Sequence, residues 1–253
     1  MENIELKEDF TERIKTGIEG FDDLIQGGFP QGTFAVVTGG PGTGKTIFAL
    51  QFLANGALKY NEKGLFITAE QNIEDIVSQA KQFGWDLDQM ENAGKIKIVS
   101  LIGKQIFEDE TMNEIKQLIQ ENHYERIVFD SITSLLNAPF SKYSIVDHVD
   151  RGLQPHALSE MSRANVINFI DFIKKQGITT VGISQKVEGM PGNTIDNVSE
   201  FKADGLILLN STEMGDNLNR TIQVKKMRKT KIVGVPYDFD FTENGISIQE
   251  NEE

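Results

Sequence analysis

Phe34-Ala35-Val36-Val37-Thr38 is an unbroken apolar run of strand length, and Ile47, Leu50, Leu53, Ala54, Ala57 and Leu58 recur at helical spacing just after it. The same pairing repeats downstream. Leu65-Phe66-Ile67-Thr68 reads as a strand, Ile73 to Phe83 as an amphipathic helix, Ile96 to Val99 as a strand and Asn113 to Gln120 as a helix. Arg126-Ile127-Val128-Phe129-Asp130 is then a strand ending in a carboxylate. After a less regular stretch from Ser131 to Gln154, a long helix from about Ala157 to Lys175 leads into the strand Thr179 to Ser184. Strands that are apolar throughout are buried on both faces, so the alternation predicts an α/β fold: a mostly parallel central sheet with helices on both faces. From Leu206 the pattern changes to extended runs, Leu206 to Leu209, Thr221 to Met227 and Val235 to Phe241, which predict antiparallel strands completing one edge. In such a fold, ligands bind at the carboxyl ends of the parallel strands.

Composition narrows the function classes. The 253 residues, 39% hydrophobic, can bury one large core, so the expected organisation is a short extension over residues 1–11, one domain over 12–248 and an acidic tail over 249–253. A net charge of −13 opposes sequence-independent binding to nucleic-acid backbones or anionic lipid. With no cysteine, disulfides, thiol catalysis and cysteine-held zinc are excluded, and a cytoplasmic protein is expected. His123, His148 and His156 show no metal-ligand spacing. No apolar stretch is long enough to span a bilayer, so no membrane partner is expected.

The chemistry concentrates at Gly39-Gly40-Pro41-Gly42-Thr43-Gly44-Lys45-Thr46, between the first strand and the helix that carries Ile47. Glycines let backbone N–H groups converge on phosphate oxygens, Lys45 adds a positive charge, the Thr46 hydroxyl can ligate Mg²⁺, and the helix N-terminus favours anions. The expected ligand is therefore a nucleoside triphosphate, held by Gly40 to Ile47, with Mg²⁺. Asp130, at the end of a neighbouring strand, is the carboxylate expected to complete the magnesium site with Thr46. Glu70 follows another strand and could deprotonate the attacking water, or could simply open the next helix. Gln185 follows the strand ending at Ser184; it could sense the terminal phosphate and relay its presence to the loop Lys186 to Glu200, or be a polar strand terminus. Lys225 to Lys231 is a basic cluster in an acidic chain. It reads either as a strand edge that discourages aggregation or as a pair of cations, Lys226 and Arg228, on one side of a strand with Met227 on the other.

Several motifs in order carry a family resemblance. Thr16 to Ile25 (Thr-Gly-Ile-Glu-Gly-Phe-Asp-Asp-Leu-Ile), Gly27 to Gly32 and the loop Gly39 to Thr46 resemble the entry to a KaiC or RadA domain of the RecA superfamily. Phe83-Gly84-Trp85-Asp86-Leu87, Asp130 to Leu135 and Lys226-Met227-Arg228-Lys229-Thr230 are similar to the KaiC-like branch, and to its single-domain members more than to the two-domain clock protein. The resemblance covers about residues 12 to 248. It implies a RecA-like P-loop NTPase core, Mg-ATP bound between subunits of a homo-hexameric ring, and ATP hydrolysis. By the same resemblance Glu70 is the catalytic glutamate, and Lys226 and Arg228 reach the neighbouring subunit's nucleotide.

Departures shape the functional reading. Gln71 stands where many such domains have a second glutamate, which predicts slow turnover, and Lys229 stands where the motif has glycine. Glu200 and Phe201 occupy the positions resembling the clock protein's phosphorylated pair, so autophosphorylation has no hydroxyl there. The expected function is a regulatory or signalling ATPase acting as a ring with a protein partner. The alternatives are a RadA-paralogue-like DNA-repair accessory ATPase and a nucleotide-gated scaffold with negligible turnover. The stretches that would line a ring channel, about Asn137 to Arg163 and Lys186 to Lys202, lack the basic and aromatic stripe that single-strand binding uses, so DNA binding is expected to be weak.

Overall fold

The computed structural model describes residues 12–104, 106, 109–137, 155–187, 192–214 and 217–249; the expected 1–11 extension, His148, the end of the acidic tail, most of the first channel-lining stretch (138–154) and residues 188–191 of the second lie outside them. Along the chain the elements are β1 (Arg13–Ile14), α1 (Phe21–Leu24), β2 (Phe29–Pro30), β3 (Phe34–Gly39), α2 (Lys45–Lys59), β4 (Gly64–Thr68) and α3 (Ile73–Lys81). There follow α4 (Leu87–Asn92), β5 (Ile96–Ser100), α5 (Asp109–Asn122), β6 (Arg126–Asp130), α6 (Ile132–Asn137), α7 (Pro155–Lys175) and β7 (Thr179–Gln185). The last elements are α8 (Ser199–Lys202), β8 (Gly205–Met214), β9 (Asn217–Met227), β10 (Pro236–Thr242) and β11 (Gly245–Ile248).

Nine strands form one sheet in the order β11-β10-β9-β8-β3-β7-β6-β4-β5. From β8 to β5 all neighbours are parallel, and β9, β10 and β11 add the expected antiparallel edge; the run Leu206 to Leu209, expected among its strands, pairs parallel with β3 as well as antiparallel with β9, and β11 was not anticipated. Successive side chains of a strand point to opposite faces, and β3 shows the consequence. Ala35 and Val37 join Phe48 and Phe52 of α2 and Ile76 of α3 in one core, while Phe34 and Val36 join Ile115 of α5 and Phe169 and Ile173 of α7 in the other. Each large apolar side chain so buried contributes roughly 1.5–3 kcal/mol.

Several boundaries differ from expectation. The helix predicted to reach Phe83 ends at Lys81, because the chain turns there: Phe83 N donates to Ala80 O at 3.0 Å, and Gly84 takes φ 74°. The helix read as Asn113 to Gln120 runs from Asp109 to Asn122, and the run Leu206 to Leu209 lies in the buried part of a ten-residue strand in which Ser211 to Glu213 are exposed. A fully buried arginine locks the frame below the sheet. Arg126, first residue of β6, donates from Nη1 to Phe52 O (2.6 Å), from Nη2 to Lys15 O (2.7 Å) and from Nε to Glu62 Oε2 (2.5 Å), with its guanidinium 4.6 Å from the centre of the Phe52 ring. One side chain thus ties the entry segment, α2 and β6 together.

Candidate functional site

The parallel strands β3, β7, β6 and β4 lie side by side, so their carboxyl ends bring Gly39, Gln185, Asp130 and Thr68 to one edge. The turn after β3 is a loop of small residues. Gly42 and Gly44 adopt φ 72° and 98°, backbone that L side chains rarely take, and Gly44 also has no room for a Cβ, which would lie 2.7 Å from the Phe241 ring. Gly44 is the N-cap of α2 and supplies no side-chain cap, and the first turn of α2 carries no acidic residue. The first N–H groups of this fifteen-residue helix are thus left without a side-chain acceptor, at the end where an anion is favoured.

Lys45 Nζ donates to Gly40 O at 2.6 Å, closing the loop across its own mouth, and Thr43 Oγ1 donates to the same carbonyl at 2.9 Å. Burial lowers the Lys45 pKa, opposed by the charges of Asp130 and Glu70. Thr46 Oγ1 donates to Asp130 Oδ2 at 3.1 Å. Burial pushes Asp130 up from 3.8 to about 6; the Thr46 hydrogen bond opposes this, the Glu70 charge adds to it and Lys45 opposes it. A half-buried cation and a buried carboxylate beside a free helix N-terminus form a donor and acceptor set suited to a polyphosphate with a hard divalent cation, and Thr46 and Asp130 offer the oxygen ligands such a cation takes.

Glu70 is fixed from two strands. Its Oε2 accepts from Ser131 Oγ at 2.6 Å and its Oε1 from Gln185 Nε2 at 3.2 Å, while Gln185 N donates to Thr133 Oγ1 at 2.9 Å. Thr68 sets the turn that carries it: the amides of Glu70 and Gln71 donate to Thr68 Oγ1 at 3.3 and 3.0 Å, and that hydroxyl donates to Gln71 O at 2.8 Å. Pro41, Lys45, Thr46, Glu70, Asp130 and Gln185 thus line one cleft of about 190 Å³. An adjoining cleft of about 350 Å³ is walled by Gly42, Ile47, Gln79, Gln82, Phe83 and Phe241. Ser131, Thr133 and Thr68 are hydroxyl partners that residue reading missed, although Ser131 and Thr133 stand within the Asp130 to Leu135 motif. The aromatic wall of the second cleft was also missed, because Phe83 and Phe241 lie far apart in sequence.

Lys226 and Arg228 line neither cleft of their own chain. Met227 is buried between them. Lys226 Nζ donates to Glu200 O and Phe201 O, both at 3.2 Å, and Arg228 Nη1 approaches Asp204 Oδ1 at 3.3 Å. Burial lowers the Lys226 pKa, and the Arg228 charge lowers it further. Lys229 adopts φ 55°, so the turn keeps the left-handed conformation that a glycine would hold more easily. Among the described residues no group of three or more His, Cys, Asp or Glu side chains is placed to hold a metal ion, and no helix is long and apolar enough to cross a membrane.

Comparison with known proteins bears on the family and the fold. A family model described as "ATPase: KaiC" matches residues 14–253. The circadian clock oscillator protein KaiC of Synechococcus elongatus is 32% identical over 244 residues, covering 93% of this chain and 44% of that protein. Its counterpart in Nostoc is 31% identical over 245 residues, 94% of this chain and 44% of that protein. The chain therefore spans less than half the length of the curated relatives it matches. Among solved structures, a KaiC-like protein of the hyperthermophilic archaeon Pyrococcus horikoshii aligns with a TM-score of 0.79 at 32% identity, covering 95% of this chain and all of that one.

Proposed function

We propose, from the premise that the chain belongs to the KaiC family of ATPases, that it binds Mg-ATP at the loop Gly40 to Ile47 and hydrolyses it slowly. The observation that carries this reading is the convergence of Lys45, Thr46, Asp130, Glu70 and Gln185 on one cleft at the ends of adjacent strands. Lys45 and the free amides of the α2 N-terminus hold the phosphates. Thr46 and Asp130 hold the magnesium, which when bound draws charge from the terminal phosphate. Glu70, oriented by Ser131 and Gln185, takes a proton from the attacking water at a carboxylate oxygen. Gln71, beside it, cannot share that role. Lys226 and Arg228 serve the neighbouring chain's nucleotide, as donors to charge that develops during phosphoryl transfer. A ring built this way suits a cytoplasmic regulatory or signalling ATPase that recruits a protein partner as its nucleotide state changes.

Titration with a fluorescent ATP analogue tests the site: Lys45→Ala removes most binding. Glu70→Gln keeps binding but lowers hydrolysis on the order of 10²-fold or more, the loss expected for a general base. Unchanged affinity in the first variant moves the nucleotide elsewhere. A wild-type rate in the second assigns the water to another residue.

A further inference from the structure

The cations Lys226 and Arg228 do not hang free; both are held by the segment 200–204. Lys226 has three N–H donors, and the carbonyls of Glu200 and Phe201 take two of them. Those carbonyls belong to the last turn of α8, where a helix leaves its C=O groups without intrahelical partners. These two bonds leave one donor of the ammonium. Arg228 is held by Asp204, whose Oδ1 also takes Lys174 Nζ at 2.8 Å from the end of α7 and whose Oδ2 accepts from Phe34 N at 3.2 Å. Backbone bonds bracket the same residue: Asp204 N donates to Phe34 O at 2.8 Å and Arg228 N to Asp204 O at 2.9 Å. The Asp204 side chain is 17% exposed and the Arg228 side chain 58%. A fixed carboxylate thus orients an exposed cation at the base of the strand that carries the phosphate loop.

The segment is itself anchored to its own chain's site. Asn193 donates from N and Nδ2 to Glu200 Oε2 at 3.1 and 2.8 Å, Thr38 Oγ1 donates to Asn193 O, and Ile195 N donates to Gln185 O at 2.9 Å. Asp196, just before α8, accepts from Val198 N at 2.8 Å and from Ser199 N and Oγ. Hydrogen bonds and short stretches of backbone therefore link β3 and Gln185 to Glu200, one of the two residues whose carbonyls hold Lys226.

We infer that Asp204 is a positioning residue: with the C-terminal carbonyls of α8 it sets Lys226 and Arg228 as a preformed pair for the neighbouring chain's nucleotide, and it has no part in the phosphate cleft of its own chain. The inference rests on the shared-site reading above. Arginine retains further donors once Asp204 has taken one, so the pairing orients the guanidinium without using it up. Ordering the side chain in advance removes that cost from the reaction step.

Asp204→Asn keeps an acceptor for Phe34 N while removing the charge that orients Arg228. In rings of this variant alone, kcat falls about 10-fold or more while the fluorescent ATP analogue binds with wild-type affinity and thermal unfolding stays two-state. Mixed rings supply the readout that a merely structural role would not give. Asp204→Asn chains mixed with Lys45→Ala chains regain hydrolysis, because an intact phosphate loop then meets a wild-type pair. Asp204→Asn chains mixed with Arg228→Ala chains do not, because no pair in that ring is both present and positioned. Asp204→Glu, which restores the charge, recovers part of the rate. Recovery in both mixtures, recovery in neither, loss of analogue affinity, or a wild-type rate for Asp204→Asn alone each overturns the inference. A wild-type rate for Arg228→Ala alone instead removes the shared-site reading beneath it, so the two failures are separable.

Discussion

Asp130 is 2% exposed, and the same burial that readies it for a cation makes it costly without one. Its pKa, raised from 3.8 to about 6 chiefly by desolvation, lies above the unfolded value, so the folded chain binds this proton more tightly than the unfolded chain does. The stability this contributes is complete below about pH 4 and is lost as pH rises through about 6. Over that window the metal-free protein loses up to about 3 kcal/mol through this one group, at roughly 1.4 kcal/mol per pKa unit. Asp130→Asn removes the charge and keeps the shape and the Thr46 contact. Urea unfolding in a chelator at pH 7.5 should therefore find the variant more stable than wild type, with the difference gone at pH 4. Magnesium-dependent stabilisation by ATP should be lost in the same variant. A variant less stable than wild type at pH 7.5 would show that the carboxylate is satisfied without a metal. Stability and function then pull this residue in opposite directions, as expected where a buried charge is kept for a ligand.

At the scale of elements, α2 meets β6 through Gly56 and Arg126, and there two rules give opposite signs. Helix propensity favours alanine over glycine by about 1 kcal/mol inside a helix. A Cβ at Gly56 would lie 2.5 Å from Cδ and Nε of Arg126, which is fixed by three acceptors and cannot step aside without leaving them unpaired. Overpacking outweighs propensity, so Gly56→Ala should destabilise by about 1–3 kcal/mol in urea unfolding; a gain would mean that Arg126 moves freely. The long elements were legible in sequence because strands buried on both faces are apolar without interruption and helices with one buried face are periodic. Short elements escaped for the converse reason: α1 and α8 hold four residues each and β1 and β2 two each, too few to show a period. A local signal did exist for α4, since Asp86 Oδ1 accepts from Gln89 N at 3.0 Å, the bond an N-cap aspartate makes. At the candidate site, Lys45, Thr46 and Asp130 could be read because a short motif and a strand end place them. The hydroxyls that aim Glu70 and the carboxylate that holds Arg228 act across tertiary register, which no local spacing encodes.

For the whole molecule, charge and assembly decide the choice between functions. A chain of net charge −13 offers few sites from which phosphate contacts could displace counterions, so single-stranded DNA should bind weakly at physiological salt, by anisotropy titration. Sub-micromolar affinity there would favour the DNA-repair reading. The sharper question is where the active site ends. Lys226 and Arg228 stand outside both clefts of their own chain, and among the described residues Lys45 is the one cation lining them, whereas phosphoryl-transfer sites also use a cation from outside the loop. Such fingers contribute ~10³ to 10⁵ in rate where they have been measured. Specific activity should therefore rise with protein concentration, and ATP, by bridging two chains, should favour the larger species in sedimentation. Lys45→Ala and Arg228→Ala chains, each inactive alone, should regain hydrolysis when mixed, because some interfaces then join an intact loop to an intact finger. If subunit exchange is demonstrated and the mixture stays inactive, the finger does not act across the interface, and the positions of Lys226 and Arg228 serve the fold of their own chain.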